Sequence, residues 1–243
     1  MRNSIAAAVI AASAATAACG QMQKEGAGPK VSRNYQVGNF QQIEVAGPYD
    51  VEVRTGANPS VSAEGSQKLL DRTIVVVQGN KLVIRPQEKK RGMFSFGIGS
   101  NGGARFTVTV PQLNGATIAG SGDMHVDKVS GQRFDGAVAG SGELEVDNVE
   151  VGSLKLSIGG SGSAKAGSGK AQSADYSIGG SGEIEAGGVQ TQQAKVSIAG
   201  SGSVKANATG AADVNIMGSG DVDVAGGARC SVNKAGSGSV SCS

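Results

Sequence analysis

Aromatic residues are scarce in this sequence: tryptophan is absent, and phenylalanine and tyrosine together make up 3% of the chain. β-helical enzymes that degrade polysaccharides usually stack sugar rings on aromatic side chains, so this scarcity argues against that class. The single histidine, His125, excludes a metal site built from several histidines. The net charge of +2 gives no reason to expect a nucleic-acid partner.

Glycine is abundant instead, with 40 residues, and many of them lie in one repeated motif, Gly-Ser-Gly. The serines of the first five copies are 20 residues apart, and the last two intervals are 18 residues. A fixed period of this size indicates a repeat architecture. The seven motif serines are Ser121, Ser141, Ser161, Ser181, Ser201, Ser219 and Ser237.

Apolar residues lie at odd distances from each motif serine. Around Ser181, for example, they are Tyr176, Ile178, Ile184 and Ala186. This alternation is typical of strands with one buried face, and the glycines permit a sharp bend between two strands. A repeat this short buries its apolar face only by stacking on its neighbours. We therefore predict an all-β fold, a right-handed parallel β-solenoid of about seven coils that rise about 4.8 Å each, with two or three sides.

Two columns of charged residues alternate in sign from one repeat to the next, and they alternate in phase. If equivalent positions stack, every charge lies between opposite charges, and a slip by one coil brings like charges together. We therefore predict a charge ladder that sets the register. Six residues before the motif serine stand Asp135, Lys155, Asp175, Lys195 and Asp213, and four residues after it stand Glu145, Lys165, Glu185, Lys205 and Asp223.

Residues 1–18 have the features of an export signal: a basic start, a short apolar region and small residues near the end. Thr16-Ala17-Ala18-Cys19 resembles the lipobox of bacterial lipoproteins, in which the cysteine is lipidated, although leucine is usual where Thr16 stands. We expect lipidation of Cys19, with cleavage after Ala15-Thr16-Ala17 by an ordinary signal peptidase as the alternative. Residues 19–38 have little apolar content and are predicted to be a flexible tether from the lipid anchor.

Residues 39–113 show strand patterns without the Gly-Ser-Gly period. We predict that they cap the N-terminal end of the solenoid, which spans residues 114–243, because an open end would expose unpaired strand edges. One loop of this region combines three adjacent cations with two aromatic residues, a candidate surface for anionic headgroups, a glycan or a protein partner. The alternative is a solvated loop. Its residues are Lys89, Lys90, Arg91, Phe94 and Phe96.

Two cysteines lie near the end of the sequence, Cys230 seven residues before Ser237 and Cys242 five residues after it. A turn at this motif would bring them opposite each other, so we predict a disulfide bond between them, with two buried thiols as the alternative. The bond would indicate an oxidising compartment. Lys234 stands in a column that elsewhere holds Ile or Val, and its charge would end the apolar stack.

The order of these features resembles a bacterial family described as the putative auto-transporter adhesin head GIN domain. The resemblance rests on the lipoprotein-like signal, the strands Phe40-Gln41-Gln42-Ile43-Glu44-Val45 and Tyr49-Asp50-Val51-Glu52-Val53, the segments Leu69-Leu70-Asp71 and Lys81-Leu82-Val83-Ile84, and the Gly-Ser-Gly repeats. It covers the chain from about Phe40 to Cys242. It implies a secreted or surface β-helical fold, and it carries over no catalytic residues.

The sequence contains no recognisable catalytic set, cofactor motif or metal-ligand pattern. We expect a non-enzymatic, exported protein of the bacterial cell envelope, either an outer-membrane lipoprotein or periplasmic, that acts as an adhesin-like binding module or scaffold on a lipid anchor. Its partners would be the membrane, through that anchor, and a surface glycan or an envelope protein. The alternative is a carbohydrate-active β-helical enzyme, a polysaccharide lyase or hydrolase, in which Glu143 and Glu183 would be the acids to test.

The anchor prediction can be checked by the intact mass of the protein purified from membranes of its native host. We expect loss of residues 1–18, addition of acyl chains on Cys19, and a mass two hydrogens lower because of the Cys230–Cys242 bond. An unacylated, soluble species would instead identify a freely secreted or periplasmic protein.

Overall fold

The computed structural model describes residues 29–87 and 103–243, which fold almost entirely into strands of one 16-stranded sheet. The predicted all-β solenoid is therefore confirmed. The repeats form about six turns and not the predicted seven coils, because the seven Gly-Ser-Gly corners enclose six repeat intervals. Within the described ranges, no helix has the length and apolar character needed to cross a membrane.

Most strands before the repeats alternate between buried and more exposed residues, whereas Lys81–Pro86 buries three consecutive side chains, Leu82, Val83 and Ile84. A single helical turn begins after Ser66, whose side chain accepts a hydrogen bond from the Leu69 amide. The elements are β1 (Lys30–Tyr35), β2 (Gln42–Ala46), β3 (Tyr49–Thr55), β4 (Ser60–Ser66), α1 (Gln67–Leu70), β5 (Thr73–Gln78), β6 (Lys81–Pro86) and β7 (Ala104–Val110).

The strands of the repeats include five long ones of 16 to 18 residues, each of which runs around a whole coil from one Gly-Ser-Gly corner to the next, and shorter strands at either end. Successive strands pair in parallel, and Leu144 of one coil, for example, pairs with Ala164 of the next. They are β8 (Gly115–Gly120), β9 (Asp123–Gly140), β10 (Glu143–Gly160), β11 (Ser163–Gly180), β12 (Glu183–Gly200), β13 (Ser203–Gly218), β14 (Asp221–Ala225), β15 (Arg229–Ala235) and β16 (Val240–Cys242).

Each coil of the central repeats has three sides. Along β10 the paired register omits Asp147 and Gly152, and the buried positions change parity at both places. These two breaks are corners, and the Gly-Ser-Gly motif is the third. The inward-facing residues of this coil are Leu144 and Val146 on the first side, Val149 and Val151 on the second, and Leu154, Leu156 and Ile158 on the third.

The Gly-Ser-Gly corners stack so closely that they leave no room for a side chain at the first glycine. Gly180 has a φ of 129°, and a Cβ at this position would overlap the carbonyl oxygen of Gly160 on the coil before it. That same oxygen accepts a hydrogen bond of 2.9 Å from the Ser181 amide. Glycine is therefore required both for the backbone conformation and for the hydrogen bond that joins consecutive corners.

The N-terminal region first adds parallel strands to the solenoid and then closes its end. Strands β2 and β3 stack in parallel on β8 and β9, and β6 and β7 stack in parallel on β2 and β3. Antiparallel strands then follow at the end: β5 pairs with β6, and β4 pairs with β7. One continuous sheet therefore crosses the predicted boundary at residues 113 and 114.

Strand β1 corrects the prediction of a flexible tether over residues 19–38 for its last part, Lys30–Tyr35, while residues 19–28 lie outside the described residues. Its residues alternate between exposed and half-buried, and it pairs antiparallel with β4. Tyr35 packs with its ring centroid 6.5 Å from that of Phe106, and Arg33 forms a 2.6 Å ion pair with Asp71. These contacts hold the segment on the sheet, although its composition is polar.

The corner geometry predicts that Gly180→Ala destabilises the fold whereas Gly179→Ala does not. The first substitution forces a non-glycine residue into a positive φ and against the Gly160 carbonyl, a strain of roughly 1–3 kcal/mol or more. At Gly179, next to it, a Cβ would lie 3.9 Å from its nearest neighbour, and the residue is exposed. Urea unfolding of the two variants would measure the difference. Equal stabilities would contradict the role assigned to the corner.

Candidate functional site

Two of the predicted sites fall outside the described residues. These are the lipidation site Cys19 and the basic and aromatic loop of Lys89, Lys90, Arg91, Phe94 and Phe96. The surface of the solenoid carries the remaining candidates. They lie mainly on its first side, which follows each Gly-Ser-Gly corner.

The column four residues after the motif serine forms ion pairs on the outer face of the first side. Lys165 Nζ lies 2.8 Å from Glu145 Oε1, and Lys205 Nζ lies 2.7 Å from Glu185 Oε1. Hydrogen bonds from Lys165 and Lys205 hold the pKa of Glu145 and of Glu185 below its usual value. Asp223 pairs in register with Lys205 at the end of this column, which we call the first-side ladder.

The charged residues six positions before the motif serine are aligned in the same way, but their side chains do not contact one another. Lys155 pairs in register with Asp135 on one coil and with Asp175 on the other, and Lys195 and Asp213 continue the alternation. Among the described residues, however, none of these neighbours approaches within the 4.0 Å of an ion pair. Asp135 binds Arg133 on its own strand instead. This column therefore aligns opposite charges without joining them.

The first-side ladder continues into the N-terminal region through His125. In register, Glu52 of β3 lies beside His125, and His125 lies beside Glu145. From the sequence, His125 was notable only as the single histidine. The sequence did contain a sign of this arrangement: Val51 and Val53 flank Glu52 just as apolar residues flank the charged residues of the repeats.

His125 contacts two carboxylates with its two ring nitrogens. Nδ1 lies 3.3 Å from Glu145 Oε2, and Nε2 lies 3.1 Å from Asp147 Oδ2. The three side chains are 45%, 33% and 53% exposed for His125, Glu145 and Asp147. They are a group of three potential metal ligands, with one donor atom from each within 4.8 Å of the others. Sequence analysis did not identify this group, because it spans two coils.

An open depression of about 430 Å³ adjoins this group. It carries an excess of negative charge, since five carboxylates and only two cationic or basic side chains line it. Asp123 uses one carboxylate oxygen to accept a 3.2 Å hydrogen bond from the Glu143 amide. The charged lining residues are Asp50, Glu52, Arg105, Asp123, His125, Glu143 and Glu145.

The third side of the last coils presents a different surface. It is an open groove of about 640 Å³ with small polar residues and one exposed large apolar residue, Met217, which is 71% exposed. Ser177 Oγ donates a 3.0 Å hydrogen bond to Ser157 Oγ, so neighbouring hydroxyls bind each other along this face. One cation, Lys234, lines the groove.

The C-terminal coil is closed by the predicted disulfide. Cys230 of β15 and Cys242 of β16 are bonded, which confirms the pairing. Lys234, in the column that otherwise holds Ile or Val, donates a hydrogen bond of 2.7 Å from Nζ to the Gly238 carbonyl. The ammonium therefore binds the backbone of its own coil at the end of the apolar stack.

A family model described as "Putative auto-transporter adhesin, head GIN domain" matches residues 39–228. Among solved structures, a putative adhesin from Bacteroides fragilis is 24% identical with a TM-score of 0.78, over 88% of this chain and 97% of that one. A putative lipid binding protein from Parabacteroides distasonis is 26% identical with a TM-score of 0.70, over 89% and 97%. A putative adhesin from the same organism is 22% identical with a TM-score of 0.70, over 89% and 98%. No curated protein matches the chain.

The contrast between the two charged columns predicts that Lys165→Glu destabilises the solenoid more than Lys155→Glu. Both substitutions reverse a charge between two acids, but only Lys165 is within 4 Å of a carboxylate. The midpoint of thermal unfolding should fall further for Lys165→Glu, and the difference should narrow at 1 M salt because exposed charges are screened. Equal falls in the unfolding midpoint would show that the alignment of the charges, without contact between them, determines the destabilisation.

Proposed function

The chain belongs to the auto-transporter adhesin head GIN domain family, and from this premise we propose that it is an exported, non-enzymatic protein of the cell envelope. In this proposal a lipid on Cys19 anchors it to the membrane, and the outer surface of the solenoid binds a surface glycan or an envelope protein.

The observation that carries the proposal is the filling of the solenoid interior. Apart from Thr191, apolar side chains occupy the buried positions of the central coils, and the two aromatic residues of the repeats, Phe134 and Tyr176, are fully buried. The outer faces of the described coils carry charged ladders, small polar residues and open depressions. An extended, regular surface of this kind suits binding to an extended partner better than turnover in an enclosed active site.

The position of β1 supports an anchored arrangement. Lys30, the first residue of β1, lies at the end of the sheet that antiparallel strands close, whereas β16 lies at the opposite end. A tether from Cys19 would therefore join the solenoid at its closed end. The last coils, with Met217 and the disulfide, would then face away from the anchor.

Two further observations agree with export to the envelope. The Cys230–Cys242 bond is typical of oxidising compartments. The similar structures bear names that refer to adhesion and, in one case, to lipid binding, both of which are roles at a cell surface or a membrane. For this chain we propose only the general role that these names share, that of a binding module of the envelope.

The test uses the full chain carrying Cys19→Ala, purified after export and labelled, and envelopes isolated from the native host. We expect saturable retention of the protein on sedimented envelopes, competition by unlabelled protein, and no release of soluble sugar. In cells, the parent should fractionate with membranes and the Cys19→Ala variant should not. The double variant Cys230→Ser, Cys242→Ser is the control, since it removes cysteines without touching the anchor.

Two results would contradict the proposal. One is the absence of saturable retention, which would exclude a binding role at the envelope. The other is release of sugar from envelope polysaccharide that disappears in Glu143→Gln or Glu183→Gln, which would identify a carbohydrate-active enzyme. Membrane fractionation of Cys19→Ala at the parent level would remove the lipid anchor from the proposal.

A further inference from the structure

His125 occupies a position in the first-side ladder where the alternation of charge calls for a cation. The other cationic positions of this ladder hold lysine: Lys165 Nζ lies 2.8 Å from Glu145, and Lys205 Nζ lies 2.7 Å from Glu185 and 3.7 Å from Glu183, all on the preceding coil. His125 differs because it contacts the following coil, with a separate ring nitrogen beside each of two carboxylates, Glu145 and Asp147. A lysine would satisfy the ladder, so the ladder alone does not explain an imidazole here.

Asp147 is a second departure from the repeat pattern. It stands six residues after its motif serine, where the following coils have Gly167, Gly187 and Asn207. One coil earlier the same column holds Asp127, whose carboxylate accepts hydrogen bonds from the Thr55 amide and hydroxyl at 2.9 Å. Asp147 has no such backbone partner among the described residues, and its carboxylate lies beside His125.

The donor atoms of this group are close to one another, with one from each side chain within 4.8 Å of the other two. Lys165 binds Oε1 of Glu145, which leaves Oε2 on the side of His125. Glu145 and Asp147 project from the same face of β10, and His125 projects from the paired position on β9. Strand pairing therefore holds His125 and Glu145 side by side before any ligand binds, and Asp147 stands at the corner that follows them.

We propose that His125, Glu145 and Asp147 bind a divalent transition-metal ion of the Zn²⁺ class. One imidazole nitrogen and two carboxylate oxygens form a mixed ligand set that suits zinc, nickel or copper, whereas Ca²⁺ and Mg²⁺ prefer oxygen ligands alone. The two carboxylates balance the charge of the ion. Water completes the coordination, because all three side chains are partly exposed. The acidic depression beside the site raises the local concentration of cations.

The experiment titrates ZnCl₂ into the full chain carrying Cys19→Ala, which removes that thiol as a competing ligand. Calorimetry measures stoichiometry and affinity, and the ring signals of His125, the single histidine, report coordination in NMR spectra. We expect one ion per chain and a shift of the His125 signals that saturates at the same ratio. CaCl₂ should bind at least roughly tenfold more weakly than ZnCl₂.

Three variants separate coordination from charge. His125→Lys keeps a cation in the ladder but removes the imidazole, and Asp147→Asn keeps the shape of the side chain. Each should weaken Zn²⁺ binding by roughly tenfold or more. Glu185→Gln removes a carboxylate from a lysine-paired position of the same ladder and should leave the affinity unchanged.

The proposal would be overturned by any of three results: no saturable uptake of Zn²⁺, parent affinity in His125→Lys, or equal affinity for Ca²⁺ and Zn²⁺. Folding of each variant is checked by circular dichroism, and His125→Lys is expected to fold because it restores the residue type of the other cationic positions. The site does not depend on the envelope role proposed above, so either can fail without the other.

Discussion

The close stacking of the Gly-Ser-Gly corners is the constraint on which the rest of the solenoid depends. Each corner places a carbonyl oxygen where the next coil would carry a Cβ, and the same oxygen binds the amide of the next serine. This contact brings consecutive coils to the distance of paired strands along all three sides. The apolar columns inside and the charged columns outside are aligned because the corners are. A side chain at the first glycine would separate the coils where they begin.

The charged columns determine which coils can be neighbours in this alignment. The glycines would allow any coil to stack on any other, since their contacts are the same at every corner. The first-side ladder distinguishes neighbours by sign, with ion pairs from Lys165 and Lys205 and with His125 and Glu52 at its start. The column of Lys155 repeats the pattern without contact, so its charges act through solvent that screens them. Together the two columns disfavour a register slip of one coil.

The repeats could be predicted from the sequence because one motif, one apolar alternation and two charge columns all have the same period. The third side could not be predicted, since the parity of the buried residues changes at Asp147 and Gly152 and a corner of this kind has no fixed residue type. The coils built from β2, β3, β6 and β7 share no period with the repeats. The group around His125 was missed for a related reason: Asp147 belongs to a column that is acidic only in the first coils.

The sign alternation also determines how this solenoid can change in length. Removing one 20-residue coil, such as the one that carries Lys165, would place Glu145 directly beside Glu185 and Lys155 beside Lys195. Removing two consecutive coils would restore opposite neighbours in both columns. The unit of insertion or deletion that preserves the pattern is therefore a pair of coils, twice the period of the glycine motif. The molecule has a backbone repeat of one coil and an electrostatic repeat of two.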